Sequence, residues 1–115
     1  MAEMSVPMKF RFITATINIL MVEKVEELLR EIAVPGLSVS KTKGYGDYKN
    51  FFQRDLMTTH ARLQIYAPES RVSEIVEAIM ESGGIGSEDD GIVAVSPVDT
   101  IYRIADKREV SAEEF

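Results

Sequence analysis

Two stripes of apolar residues at helical spacing, each set between β-rich runs, constrain this chain more than any other feature. Met21, Val22, Val25, Leu28, Leu29 and Ile32 recur every three or four positions, with Glu23, Lys24, Glu26, Glu27, Arg30 and Glu31 between them. That pattern makes one apolar and one charged face, an amphipathic helix ended by Pro35-Gly36. Val72, Ile75, Val76, Ile79 and Met80 repeat it, with Ser70 as N-cap and Ser82-Gly83-Gly84 as the stop. Lys9 to Asn18 is rich in Phe, Ile and Thr, and Phe10, Phe12, Ile13, Ala15 and Ile17 put apolar groups on both faces of a strand. Leu37 to Tyr45 reads as a second strand, Arg62 to Ala67 as a third closed by Pro68, Gly91 to Val95 as a fourth, and Thr100 to Ala105 as a short extra one.

The order is strand, helix, strand, a loop over residues 47 to 60, then strand, helix, strand. It implies an α+β fold, a ferredoxin-like βαββαβ sandwich with one antiparallel sheet and two helices on one of its faces. Residues 1–7 read as an untethered leader, 8–105 as the domain and 106–115 as a charged C-terminal tail. A helix-free sheet face in a monomer alternates to polar, so apolar groups on both faces of the first strand imply that this face packs against other copies.

Charge and cysteine count remove whole classes of function. Nineteen acidic residues against thirteen Lys and Arg leave a net charge of −6, which makes the chain a poor candidate for binding nucleic acid through a basic face. With no Cys, disulfides, thiolate-bound zinc, iron–sulfur clusters and cysteine nucleophiles are excluded, and a reducing cytosol fits. No stretch reaches the roughly twenty apolar residues that span a bilayer, so we expect a cytoplasmic protein without membrane insertion.

Two glycine clusters and a few loop residues stand out. Lys43-Gly44-Tyr45-Gly46 ends a strand where a ligand can approach the backbone closely. Gly83-Gly84-Ile85-Gly86, returning at Gly91, is either a flexible connection or a concave anion site built from successive backbone N–H groups. The acidic run Glu88-Asp89-Asp90 between them reads as a solvated turn. His60 reads as a solvated polar residue or an anion contact, and a single His with no Cys defines no zinc site. Phe51 and Phe52 are either a partner-binding knob or pack back on the domain.

The order Pro35-Gly36-Leu37-Ser38-Val39, Lys43-Gly44-Tyr45-Gly46, a loop, a strand ending Ala67-Pro68, a helix, Gly84-Ile85-Gly86, Gly91-Ile92-Val93-Ala94-Val95 and Ile101-Tyr102-Arg103-Ile104 resembles the PII signal-transduction proteins over residues 8 to 105. The resemblance implies a homotrimer and a regulatory binding protein, not an enzyme, with one adenine-nucleotide site in each cleft between subunits and no other cofactor. It assigns the adenine side to Gly36, Leu37 and Ser38, and the phosphate side to Gly44, Gly46, Gly84, Ile85, Gly86 and Gly91. Arg103 matches the first of the family's two late arginines, which close the site from a neighbouring subunit. The second falls on Ala105, and the family's lysine after the last glycine of the phosphate turn falls on Ile92. With two cations missing, ADP or AMP is expected to bind at least as tightly as ATP. Lys107 and Arg108 stand nearby in sequence.

The loop departs from the family pattern. Tyr48 replaces a glutamine that helps bind magnesium and 2-oxoglutarate, and His60 aligns with the lysine that pairs the far carboxylate of 2-oxoglutarate, so sensing of that acid is not expected. The segment Asp47-Tyr48-Lys49-Asn50-Phe51-Phe52 is closer to PII-like proteins encoded near carboxysome or anion-transport functions, which implies bicarbonate or another small anion as a second ligand. His60 is then the anion contact. Phe51, Phe52 and Arg54 form the surface for a regulated partner, whether enzyme, transporter or carboxysome component. A small acylphosphatase-like enzyme is the alternative, with Arg11 and Asn18 available but no loop cradle beside them. A metal-tolerance trimer of related architecture is not recommended by a chain with no Cys, no Trp and a single His.

Overall fold

The computed structural model describes residues 9–44, 58–86, 90–111 and Glu114. Gly46, Tyr48, Phe51, Phe52, Arg54, Glu88 and Asp89 lie outside the described residues. Strand β1 (Phe10–Asn18) leads to helix α1 (Val22–Glu31), β2 (Ser38–Gly44), β3 (Thr58–Pro68), α2 (Val72–Ser82) and β4 (Gly91–Val98). A small hairpin follows, β5 (Tyr102–Arg103) paired with β6 (Arg108–Glu109). The main sheet has the order β2-β3-β1-β4, and each neighbouring pair runs antiparallel. This is the ferredoxin-like arrangement expected from the element order.

The strand period of two decides what is buried. Ile13 pairs with Ile65, Ala15 with Leu63 and Ile17 with Ala61, and all six are almost wholly buried against Val25 and Leu29 of α1 and Ile75, Ala78 and Ile79 of α2. Burying each of the larger side chains contributes about 1.5–3 kcal/mol. The alternate positions form the other face. There Phe12, Thr14 and Thr16 of β1 stand beside Tyr66, Gln64 and Arg62 of β3, with the Phe12 and Tyr66 rings 4.8 Å apart. This face is therefore mostly hydroxyl and polar groups. The expectation of apolar groups on both faces of β1 narrows to Phe10 and Phe12, since Ile13, Ala15 and Ile17 share one face.

Several boundaries move, each for a local reason. Helix α1 ends before Pro35-Gly36, because Ala33 turns left-handed at φ 63° and the amides of Ala33 and Val34 close on the carbonyls of Arg30 and Leu29 at 3.0 Å each. This is a helix stop of the Schellman type made without glycine. Ser70 does not cap α2; it lies inside a short 3-10 turn, Glu69–Arg71, that leads into the helix. Strand β3 begins at Thr58, taking residues 58–60 from the expected loop. Strand β4 continues to Val98 through Pro97, which an edge strand tolerates because its outer N–H positions need no partner. In the charged stretch after Ala105, β6 pairs with β5, and Val110 is 2% exposed with its N–H on the Ile101 carbonyl at 2.8 Å. Among the described residues no helix is long and apolar enough to cross a membrane.

Candidate functional site

The Gly36-Leu37-Ser38 approach to β2 borders a cavity of about 480 Å³ together with Phe12, Tyr66 and Ile101. Aromatic and aliphatic walls with the polar edges of Ser38 and Gln64 make an open slot of the kind that takes a flat ring. A Cβ on Gly36 would meet nothing within 4 Å, so packing within the chain does not require glycine there. Because Ile101 borders the same cavity, the segment after β4 folds back toward the start of β2. Arg103, two residues on, lies in the β5–β6 hairpin.

The second half is the turn between α2 and β4. Gly83 is buried beneath it, where a Cβ would sit 2.8 Å from the Ile79 carbonyl oxygen and in contact with Ile17 and Val25. Gly86 is left-handed at φ 88° and Gly91 at φ 113°, so glycine is required at both. The N–H of Ile85 donates to Asp90 Oδ1 at 3.0 Å, and that of Gly86 to Asp90 Oδ2 at 2.9 Å. Successive amides thus converge on a negative charge, as an anion cradle does. Asp90 corrects the reading of the acidic run as solvated, since its carboxylate folds into the turn. The spacing of four to five residues from Ile85 and Gly86 was the available signal. Behind the turn lies a smaller cavity of about 230 Å³, bordered by Ile17, Ile79, Met80, Gly84 and Ile92.

Arg103 and Arg108 stand in a cluster with two carboxylates. Arg103 Nη1 lies 3.1 Å from Asp106 Oδ2 and 3.7 Å from Glu114 Oε1. Arg108 grips Glu114 with both terminal nitrogens, at 2.8 and 3.1 Å, and lies 3.7 Å from Asp106. Hydrogen bonding from Arg108, and next from the Ser111 N–H, holds the Glu114 carboxyl down at about 2. His60 is fully buried in β3, opposite Asn18 of β1 and Thr42 of β2, and so is not the solvated residue expected.

The structure keeps the two halves apart. Ser38 is on β2 and Gly91 on β4, the two edges of the sheet, three inter-strand spacings or about 14 Å across. They differ in height as well, since Ser38 is level with Gln64 and Thr14 whereas Gly91 is level with Ile17. Gly44 ends β2, farther along that edge.

Comparison with known proteins agrees with the fold. The family model for nitrogen regulatory protein P-II matches residues 10–108. A nitrogen regulatory protein P-II of Azospirillum brasilense is 26% identical over 99 residues, covering 80% of this chain and 88% of that one. Its counterpart from Rhizobium etli is 30% identical over 101 residues, covering 82% and 90%. Among solved structures, the crystal structure of Arabidopsis thaliana PII bound to citrate superimposes with a TM-score of 0.77 at 22% identity, over 89% of each chain.

Proposed function

The chain belongs to the nitrogen regulatory protein P-II family, and from that premise we propose that it is a homotrimeric regulator that binds ADP or AMP between its subunits and does not turn them over. One observation carries the reading: the Gly36–Ser38 stretch and the Gly84–Gly91 turn lie at opposite edges of the same sheet, which suits a ligand held where two copies adjoin. The Gly36–Ser38 stretch at the β2 edge supplies the base side, the Gly84–Gly91 turn of the neighbour supplies the phosphate side, and Arg103 reaches the phosphates across the cleft. Ile92 and Ala105 stand where cations for outer phosphates are lacking, which favours ADP or AMP over ATP.

Signalling then follows from linkage. A ligand that contacts the 47–60 loop differently in two of its states shifts their populations, and the loop presents Phe51, Phe52 and Arg54 to a regulated protein accordingly. A small anion such as bicarbonate is the proposed second ligand. That part rests on the resemblance alone, and buried His60 offers it no open contact in the single chain.

Calorimetric titration of ADP, AMP, ATP with magnesium, and bicarbonate, beside sedimentation at micromolar concentration, tests the proposal. We expect a trimer that binds ADP or AMP at least as tightly as ATP and leaves each intact. A stable monomer, nucleotide hydrolysis, or a clear magnesium-dependent preference for ATP would each count against it.

A further inference from the structure

The turn after α2 is shaped around a charged oxygen atom. Ile85 and Gly86 each donate an amide to a different oxygen of the Asp90 carboxylate, at 3.0 and 2.9 Å. The left-handed Gly86 brings its amide to the same side as that of Ile85. Gly84 completes the fit by having no side chain, since a Cβ there would fall 2.6 Å from Asp90 Oδ2. Paired backbone donors on two oxygens of one anion are also the means by which such turns hold a phosphate group. Two of the amides assigned to the ligand's phosphate, those of Ile85 and Gly86, are therefore satisfied by the chain itself.

We propose that Asp90 is an internal occupant of the phosphate cradle, which a nucleotide binds only by displacing. This rests on the nucleotide reading above and adds a control to it. In the free chain the carboxylate keeps the turn in its anion-binding shape, so the amides need no ordering when phosphate arrives. Entry of phosphate exchanges one set of charge-assisted hydrogen bonds for another, and the observed affinity is the difference between them. The displaced carboxylate keeps its charge close to the bound phosphates, beside Glu88 and Asp89 in sequence. Repulsion grows with phosphate charge, so the device sets a ceiling on affinity that is lowest for the most highly charged nucleotide. A neutral nucleoside does not compete for the cradle at all.

The test is calorimetric titration of ADP, and of adenosine as a control, into the full-length protein and its Asp90→Ala and Asp90→Asn variants. Removing the occupant should tighten ADP about tenfold in Asp90→Ala, and less in Asp90→Asn, which keeps one acceptor oxygen, while leaving adenosine unchanged. If the unaltered protein binds ADP and both variants bind it equally or more weakly, Asp90 is a brace for the turn and the proposal is overturned, while the nucleotide reading stands. A gain shared equally by adenosine also overturns it. If neither the unaltered protein nor the variants bind ADP, the nucleotide reading falls and takes this proposal with it. Thermal unfolding of each variant confirms that it is folded, and the Asn variant carries the comparison should the Ala variant not be.

Discussion

The Arg71 guanidinium donates to the Ala33 carbonyl oxygen at 3.1 Å, across 38 residues of sequence. It also donates to the Ile32 carbonyl and, at 3.1 Å, to the Glu74 carboxylate. A residue at the mouth of α2 thus satisfies carbonyls left open at the end of α1, so the two helices are joined by charge-assisted bonds as well as by packing. Arg71→Met keeps the aliphatic stem and removes the donors. It should lower the free energy of unfolding by about 1–2 kcal/mol, read as a lower urea midpoint with unchanged slope at fixed protein concentration. An unaltered midpoint would remove this role.

Ala33 carries the left-handed turn that ends α1, at φ 63°. Its methyl group is strained there, and glycine is not. Ala33→Gly should stabilise the fold by about 0.5–1 kcal/mol, after the extra freedom of glycine in the unfolded chain is set against the relieved strain. A lower melting temperature would show that the methyl group is better accommodated than its backbone angle implies.

Gly83 makes the opposite case. Added there, a Cβ would approach the Ile79 carbonyl oxygen to 2.8 Å, and backbone cannot step aside as a side-chain tip can. Ile17 and Val25 close the remaining space at 3.4 and 3.5 Å. Gly83→Ala should cost about 1–3 kcal/mol, the range for overpacking a closed site. Loss of less than about 0.5 kcal/mol would mean that the turn shifts freely.

The parts of this fold written in periodicity were legible, and those made by single pairings were not. The helical stripes and the order of elements led directly to the sandwich, because burying Leu29 or Ile79 on one face is what forms the element. Composition alone could not show that Phe12 faces away from Ile13, Ala15 and Ile17; the strand's alternation does. His60 is polar yet buried, whereas Arg62 and Gln64 on the same face of the same strand are exposed, so alternation along β3 does not announce it. Val110 is a lone apolar residue in a charged stretch, and its burial depends on the hairpin turning back to Ile101. Asp90 reads as one acid among three until the amides of Ile85 and Gly86 are seen to point at it. The candidate glycines stand out by motif, but the separation of Gly36 and Gly44 from the Gly84–Gly91 turn onto two edges is a property of strand order.

Glu114 offers a direct electrostatic test. Arg108, and then the Ser111 N–H, lower its carboxyl from the ordinary 4.5 to about 2. A carboxylate depressed in the folded state contributes fully above its unfolded value, so the pair is intact above pH 4.5 and is lost as the pH falls through about 2. Carboxyl-carbon NMR should place the Glu114 midpoint near 2, and Arg108→Gln should return it toward 4.5. Both groups are exposed, so added salt should move the midpoint the same way. A midpoint that ignores Arg108→Gln would assign the depression to Ser111 instead.

In the free chain Arg103 is already paired, with Asp106 at 3.1 Å and Glu114 at 3.7 Å. If it serves a nucleotide phosphate across the cleft, binding exchanges one carboxylate partner for another anion, and the two members of the pair act in opposite senses. Arg103→Ala should weaken ADP roughly ten- to a hundredfold, whereas Asp106→Asn, which frees the guanidinium, should tighten it severalfold. An ion pair that only braces the β5–β6 hairpin predicts a different pattern, in which both substitutions loosen the hairpin alike and neither changes ADP affinity. Sedimentation of each variant at one concentration separates a lost ligand contact from a lost assembly. Equal ADP affinity in the unaltered and Arg103→Ala proteins, with assembly unchanged, would place Arg103 in the scaffold and leave the phosphate to the Gly84–Gly91 turn alone.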